Sequence, residues 1–225
     1  MLKIEKTVLP SPEQWEIVIE GTRNPLNSWD RMDSFECSAD CCDCDRYYDC
    51  TNKGEFGYNI EKNDLDLMQR LANGGAVHAK YRRMIPVWVT LTAPLYWFKE
   101  FDAYKVGTVC NSCSTMHKIH EKEFTLEDFS HEHLLWGSKV FLGNIVSRLN
   151  YYRSEYCATK DKMWWWQMIQ LLPSSYNQKR TVMLNYEVLA NIYRSRKNHK
   201  LDEWHTFCEW IEKLPYSELI TGRAE

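Results

Sequence analysis

The sequence predicts an α+β fold, and three observations carry that expectation. Val87, Val89, Leu91 and Ala93 alternate with Trp88, Thr90 and Thr92, the period-two signature of a half-buried strand. Lys139 to Cys157 reads as the longest helix, with Phe141, Ile145, Leu149 and Tyr152 recurring at helical spacing. Strands and helices do not follow the regular alternation of a doubly wound parallel sheet.

In chain order, Trp15 to Glu20 reads as a first strand ended by Gly21, and Pro25 to Ser34 as a short helix. Cys37 to Phe56 is an irregular acidic insertion. Asp64 to Asn73 is helical, with Leu65, Leu67, Met68 and Leu71 facing inward, and Gly74-Gly75 stop it. After the strand ending at Ala93, Pro94 suits a first helical turn, where no N–H donor is needed. Trp97, Phe98, Phe101 and Tyr104 form the apolar stripe of the helix that follows. Thr125 to Asp128 has a capping-box pattern that starts another helix. Lys160 to Leu172 is an aromatic helix ending before Pro173. Arg180 to Leu184 reads as strand, Tyr186 to Arg196 as helix, and Leu201 to Lys213 as the last helix.

Composition bounds the function classes. A chain of 225 residues with 14% aromatics and ten Trp can bury a core and is not disordered. It is read as one domain, 1–225, carrying a cysteine-rich insertion at about 37–56. A net charge of −3 gives no drive toward nucleic-acid polymers or a membrane surface. No apolar run approaches the ~20 residues that span a bilayer. The opening MLKIEKTVLPSPEQ lacks the apolar centre of a signal peptide, so a cytoplasmic location with reduced thiols is expected.

The segment after Lys105 concentrates short hydrogen-bonding groups: Gly107, Thr108, Asn111, Ser112, Ser114 and Thr115. Such a run suits a phosphate or the polar edge of a cofactor, because backbone and hydroxyl donors can converge there. It suits a Ser/Thr/Asn-rich turn equally well. Cys37, Cys41, Cys42, Cys44 and Cys50, with the C-x-x-C of Cys110 and Cys113, raise the question of zinc. His117, His120, His131 and His133 add imidazoles. The first cluster has no paired C-x-x-C frame and is surrounded by Asp40, Asp43, Asp45 and Asp49, so inert thiols are the preferred reading and no metal is expected. Lys179, Arg180, Arg194, Arg196, Lys197 and Lys200 give the C-terminal third a basic accent, read either as a solvated face or as an anion site. Trp164, Trp165 and Trp166 span about 200° of a helix, so one of them faces a ligand or a subunit contact unless the core takes all three.

Trp88 to Lys118 resembles the signature region of the flavin-dependent thymidylate synthases. Ala93-Pro94 match the family's strand end, and Glu100-Phe101 stand at its Gln-Trp. Ala103-Tyr104-Lys105 occupy its Arg-His-Arg, with Thr108 for the motif serine. Asn111 to His117 resembles the nucleotide-binding loop with one residue inserted. Leu172-Pro173, then Asn185, Asn191 and Arg196, resemble the family's later elements, and His199 to Trp204 its His-x-Gln-Trp-Glu. Glu16 to Ser34 is similar to the family's opening strand and helix. The match covers Glu16 to about Leu214 apart from the insertion. The two motif arginines are reduced here to Lys105, the loop arginine is Met116, and the loop glutamate is Ser112.

The resemblance implies a mostly antiparallel central sheet flanked by helices. It implies a flavoprotein methyltransferase of nucleotide biosynthesis that reductively methylates a uridine nucleotide such as dUMP. FAD would be its cofactor, with NADPH and methylene-tetrahydrofolate as co-substrates. Glu100, Ser112, Ser114, Lys118 and Arg196 would bind the nucleotide, and Tyr104, Lys105, Thr108, Asn111, Asn185 and Asn191 the FAD. No protein nucleophile is required, and a homotetramer would complete each site. Two alternatives remain open: a non-catalytic nucleotide- or flavin-binding protein that retains the fold, and a zinc-stabilised interaction module.

Overall fold

The computed structural model describes residues 1–36 and 57–222. The cluster Cys37, Cys41, Cys42, Cys44 and Cys50 lies outside the described residues, as does the rest of the insertion. The fold is α+β: strands β1 (Lys3–Val8), β4 (Pro86–Pro94), β6 (Asn177–Asn185) and β5 (Val109–Ser112) stand in that order in one antiparallel sheet flanked by helices. A two-stranded ribbon, β2 (Phe35–Glu36) on β3 (Tyr58–Asn59), pairs Phe35 with Asn59 and Glu36 with Tyr58, where the chain enters and leaves the insertion.

The chain clusters into two compact units. One comprises Met1–Lys6, Val89–Lys105 and Cys110–Val182, the other Thr7–Trp88, Val106–Val109 and Met183–Glu225. The division falls within each of β1, β4, β5 and β6, so all four strands belong to both.

In the first unit, β4 alternates as expected, burying Val89, Leu91 and Ala93. Helix α3 (Leu95–Phe101) follows, with Pro94 as its N-cap and Trp97, Phe98 and Phe101 buried; Trp97 stacks on Phe101 at 5.1 Å. Tyr104 was expected on that helix but lies three residues past its end. The capping box of Thr125 and Asp128 forms, yet it caps only one 3-10 turn, Leu126–Asp128. Phe129 then bridges to Tyr176, which takes the backbone into extended structure. Helix α4 (Trp136–Thr159) packs on α5 (Lys162–Leu171), the two joined through Lys160 at φ 57° and the N-cap Asp161. Their shared core is Leu142, Val146, Leu149 and Met168 with Ile119, Phe124 and Phe129. Asn150 pins Phe124 to α4 by accepting its N–H and donating to its carbonyl, both at 2.8 Å. Of the expected inward face of α4, Leu149 is buried and Ile145 and Tyr152 pack against this core, joined by Leu142 and Val146, while Phe141 points outward. Trp164 stacks on Tyr152, Trp165 donates to the Met116 carbonyl at 3.0 Å, and Trp166 stays partly exposed against Trp165.

In the second unit, Trp15 to Glu20 is helix, not strand: α1 spans Pro12–Arg23. Ser11 and Gln14 form a full capping box with Pro12 in the first turn, and Trp15, Val18, Ile19 and Thr22 are buried at helical spacing. The short helix expected over Pro25 to Ser34 is instead two 3-10 turns, Asn24–Leu26 and Trp29–Arg31. Trp15 meets Tyr186 and Tyr216 edge-on at 5.9 and 5.7 Å. Helix α2 (Lys62–Asn73) buries Leu67 and Met68 and, unexpectedly, Asp64. Asp64 accepts from Arg23 Nε at 2.5 Å, from the Ser34 hydroxyl at 2.6 Å, and from the N–H groups of Asp33 and Ser34 at 3.0 and 2.9 Å. Burial raises the Asp64 carboxyl, but the Ser34, Asp33 and Arg23 hydrogen bonds outweigh it and hold the group below its ordinary value. Helices α6 (Tyr186–Arg196), α7 (Asp202–Glu212) and α8 (Glu218–Thr221) complete this unit. Among the described residues no helix is long and apolar enough to cross a membrane.

Candidate functional site

The expected site residues fall into both units. In the second unit, the turn after Lys105 places Gly107 at φ +80° against the start of α6. A Cβ at Gly107 would stand 3.0 Å from Asn185 Nδ2 and 3.2 Å from Val188 Cγ2, so a side chain there is strained in conformation and must push both neighbours back by a few tenths of an ångström. Asn185 is the N-cap of α6, its Oδ1 accepting the Val188 N–H at 3.1 Å, and its amide nitrogen turns to Gly107. The adjacent Thr108 has a buried hydroxyl with no hydrogen-bond partner among the described residues. Gly107 and Asn185, far apart in sequence, are thus brought to one place at a helix N-terminus, with Thr108 next in the chain. Gly107→Ala is expected to cost about 1–2 kcal/mol through left-handed strain and the clash with Asn185. Urea denaturation checks this, and an unchanged midpoint would show the turn is not anchored there.

Further along α6, Asn191 is exposed and Arg196 half-buried. Their separation of five residues turns about 140° around a helix, so they address different directions. The Arg196 guanidinium lies 4.8 Å over the Trp204 ring. His199 Nδ1 accepts the Leu201 N–H at 3.2 Å, fixing the turn into α7. Lys197, over the Tyr193 ring at 5.7 Å, and Lys200 are exposed.

In the first unit, Glu100 and Tyr104 are half-buried at the end of α3, and Lys105 is exposed. Asn111 and Ser112 lie on β5, a strand where a loop was expected, and both are exposed. Ser114 Oγ accepts the N–H groups of Met116, His117 and Lys118 at 3.4, 3.0 and 3.4 Å, which folds a turn around it and leaves its hydroxyl to act as a donor. Lys118 pairs with Glu121.

The residue that sequence reasoning undervalued is Arg180 on β6. Its Nη1 donates to Asp102 at 2.7 Å, its Nε to Gln178 at 2.9 Å, and its guanidinium lies 3.8 Å over the Phe98 ring. Gln178 in turn donates to the Cys113 carbonyl at 2.8 Å. This chain ties the end of α3 to β5 and β6. The signal available beforehand was Gln178 and Arg180 two residues apart on one strand face, which sets them apart from a solvated basic run. Among the described residues no group of three or more His, Cys, Asp or Glu could hold a metal ion, and Cys110 and Cys113 are free thiols.

No protein-family model and no curated protein matches the sequence. Solved structures do match the fold. The structure is similar to thymidylate synthase X (ThyX) from Helicobacter pylori solved with FAD and dUMP. The TM-score is 0.67 at 13% identity, covering 98% of this chain and 97% of that one. A second structure of flavin-dependent ThyX from the same organism, also complexed with FAD and dUMP, gives 0.65 at 13% identity over 100% and 99%. This chain has a ThyX-like fold. The resemblance read from the sequence holds at that level, and the sheet and helices of the ThyX-like architecture set where each candidate residue stands.

Proposed function

We propose that this protein is a divergent flavin-dependent enzyme of nucleotide metabolism, cytoplasmic, that binds FAD and modifies a uridine nucleotide such as dUMP by reductive methylation. The observation that carries the reading is the similarity along nearly the whole chain to synthases solved with FAD and dUMP. The residues present fit a flavin. Thr108 offers an orphaned buried hydroxyl next in the chain to Gly107, which stands against the capped start of α6, where the helix dipole and N–H groups favour the electron-rich edge of a ligand. Tyr104, Lys105 and Asn111 with Asn185 and Asn191 would hold it, and Lys105 is the one cation retained from the basic motif. Glu100, Ser112, Ser114, Lys118 and Arg196 would orient the nucleotide. FAD would supply the hydride chemistry, NADPH its reducing equivalents, and methylene-tetrahydrofolate the one-carbon unit, so the protein's task is orientation and electrostatics.

A second reading, a flavin- or nucleotide-binding protein without turnover, is favoured by Arg180, whose guanidinium is engaged by Asp102 and so does not stand in for the missing motif arginines. Purification without added flavin, followed by an absorbance spectrum and calorimetric titration with FAD, tests the binding that both readings share. Absence of a flavin band together with absence of FAD binding would remove the enzyme reading. NADPH oxidation dependent on dUMP separates the two.

A homotetramer is part of this proposal, and α4 supports it. Leu135, Trp136 and Phe141 are 80, 83 and 67% exposed. Beside them, Leu134, Phe141, Ile145 and Pro173 line an apolar groove of about 380 Å³. Such a surface marks an interface more often than a solvated helix. Trp136→Glu with Phe141→Glu is expected to convert the assembly to smaller species, read by light scattering at micromolar concentration. A wild-type monomer would contradict it.

A further inference from the structure

We propose that the cavity between the Asn27–Arg31 turn and α2 binds a phosphate ester carrying vicinal hydroxyls, a nucleoside or sugar phosphate, at a site separate from the residues assigned above to FAD and dUMP. The cavity has a volume of about 1070 Å³ and is built wholly from the second unit. Small-molecule pockets are usually lined mostly by apolar side chains. Here Leu26 and Leu67 are the apolar members, and the remaining wall is charged or amide.

Three guanidinium-bearing residues form that wall. Arg23, 3% exposed, lies against the loop: its Nη1 donates to the Ser28 carbonyl and hydroxyl at 3.3 and 3.4 Å while its Nε is held by Asp64. Its Nη2 is buried and has no hydrogen-bond partner among the described residues. Arg31 and Arg70 stand on the same wall, exposed, and neither makes an ion pair among the described residues. The one side-chain hydrogen bond of Arg70 runs from Nε to the Asp66 carbonyl at 3.3 Å. Exposed arginines are ordinarily a solvated rim. Arg31 and Arg70, neither held in an ion pair among the described residues, line one cavity with Arg23 locked behind them, and their guanidinium forks suit bidentate phosphate binding.

The other polar groups say what else the ligand carries. The Asp30 and Asp66 carboxylates also lack an ion pair among the described residues. They would repel a bare anion, whereas paired hydroxyls would donate to them. Asn63, Gln69 and Asn73 along one side of α2 add amide donors and acceptors suited to a base or sugar edge. Because the Arg23–Asp64 pair already locks the loop to α2, the wall is preformed and binding costs little ordering.

The test is calorimetry on the full-length protein with ADP, ribose 5-phosphate and inorganic pyrophosphate. The variants are Arg31→Ala/Arg70→Ala and Asp30→Asn/Asp66→Asn. ADP and ribose 5-phosphate should bind more tightly than pyrophosphate. The arginine double variant should weaken both at least tenfold, with FAD affinity and melting temperature unchanged. The aspartate double variant should narrow the preference over pyrophosphate. Ribose 5-phosphate binding as tightly as ADP points to a sugar phosphate, and tighter ADP binding points to a nucleotide; either supports the site. Absence of heat with both esters would overturn the proposal, as would unchanged affinity in the arginine variant. Pyrophosphate binding as tightly as ribose 5-phosphate would overturn the diol. A parallel loss of FAD affinity in the arginine variant would overturn the separateness of the site. ADP binding that responds to Arg196→Lys and not to the cavity variants would move the ligand elsewhere and overturn it as well.

Discussion

Asp64→Asn is expected to destabilise the protein by about 3–5 kcal/mol, the cost of leaving the other member of a buried ion pair without its partner. Arg23 and Asp64 have 4% and 0% of their side chains exposed. The carboxylate also holds the backbone of Asp33 and Ser34, so its loss leaves more than one donor unpaired. Chemical denaturation measures the effect. Replacing both partners by apolar residues of similar volume, Arg23→Met with Asp64→Leu, should recover much of it. A small loss in Asp64→Asn would mean the pair is open to water. The pH dependence has a definite sign. Asp64 is held below its ordinary value of 3.8, so its contribution is present above that value. It is lost as pH falls through the lowered native value, because the unfolded chain then binds the proton first. Wild type should lose stability on acidification more steeply than Asp64→Asn, which lacks this titration.

Arg196→Lys is expected to weaken nucleotide binding by roughly 1.5–3 kcal/mol, about ten- to a hundredfold, under the proposed reading. The guanidinium lies over the Trp204 indole, an arrangement that fixes its plane and orients its fork. Lysine keeps the charge but loses the fork and the planar stacking. Loss of the stacking itself costs about 0.5–1 kcal/mol. Lys197→Ala, at an exposed neighbour, should stay within about 0.5 kcal/mol in both measurements. Titration with dUMP and thermal melts of the two variants provide the test. Equal affinity of wild type and Arg196→Lys would withdraw Arg196 from the site. A collapse in melting temperature would make it a structural residue.

What was legible in the sequence was what local pattern decides. β4 alternates cleanly because one residue in two meets the core, and α6 begins and ends where Asn185 and Arg196 said it would. α1 was misread because Trp15, Ile17 and Ile19 alternate with Glu16 and Glu20, although Ile17 proved exposed and the decisive cap lay upstream at Ser11. β1 was missed because half of its side chains are charged and all but Ile4 are exposed. On α4 only Phe141 was assigned to the wrong side, because both sides of that helix carry large apolar residues. The Arg23–Asp64 pair joins residues 41 apart, and no local pattern reveals such a partner. The same holds for the site: Gly107, Thr108 and Asn111 were visible as a run, whereas the approach of Gly107 to Asn185 and the engagement of Arg180 by Asp102 required the fold.

The strand order has a consequence for how the chain is made. β5 is synthesised before β6 yet pairs only with it, and β4 reaches its second neighbour only when β6 arrives. The stretch bearing Asn111 and Ser112 therefore emerges without a template and waits for more than sixty residues, α4 and α5 among them, before it can dock. Loop closure of that length must come before the pairing that rewards it, which slows folding and leaves the edges of β4 and β5 open to wrong partners meanwhile. A nascent chain arrested before Asn177 would have the α4–α5 helical hairpin in place and no seat for β5.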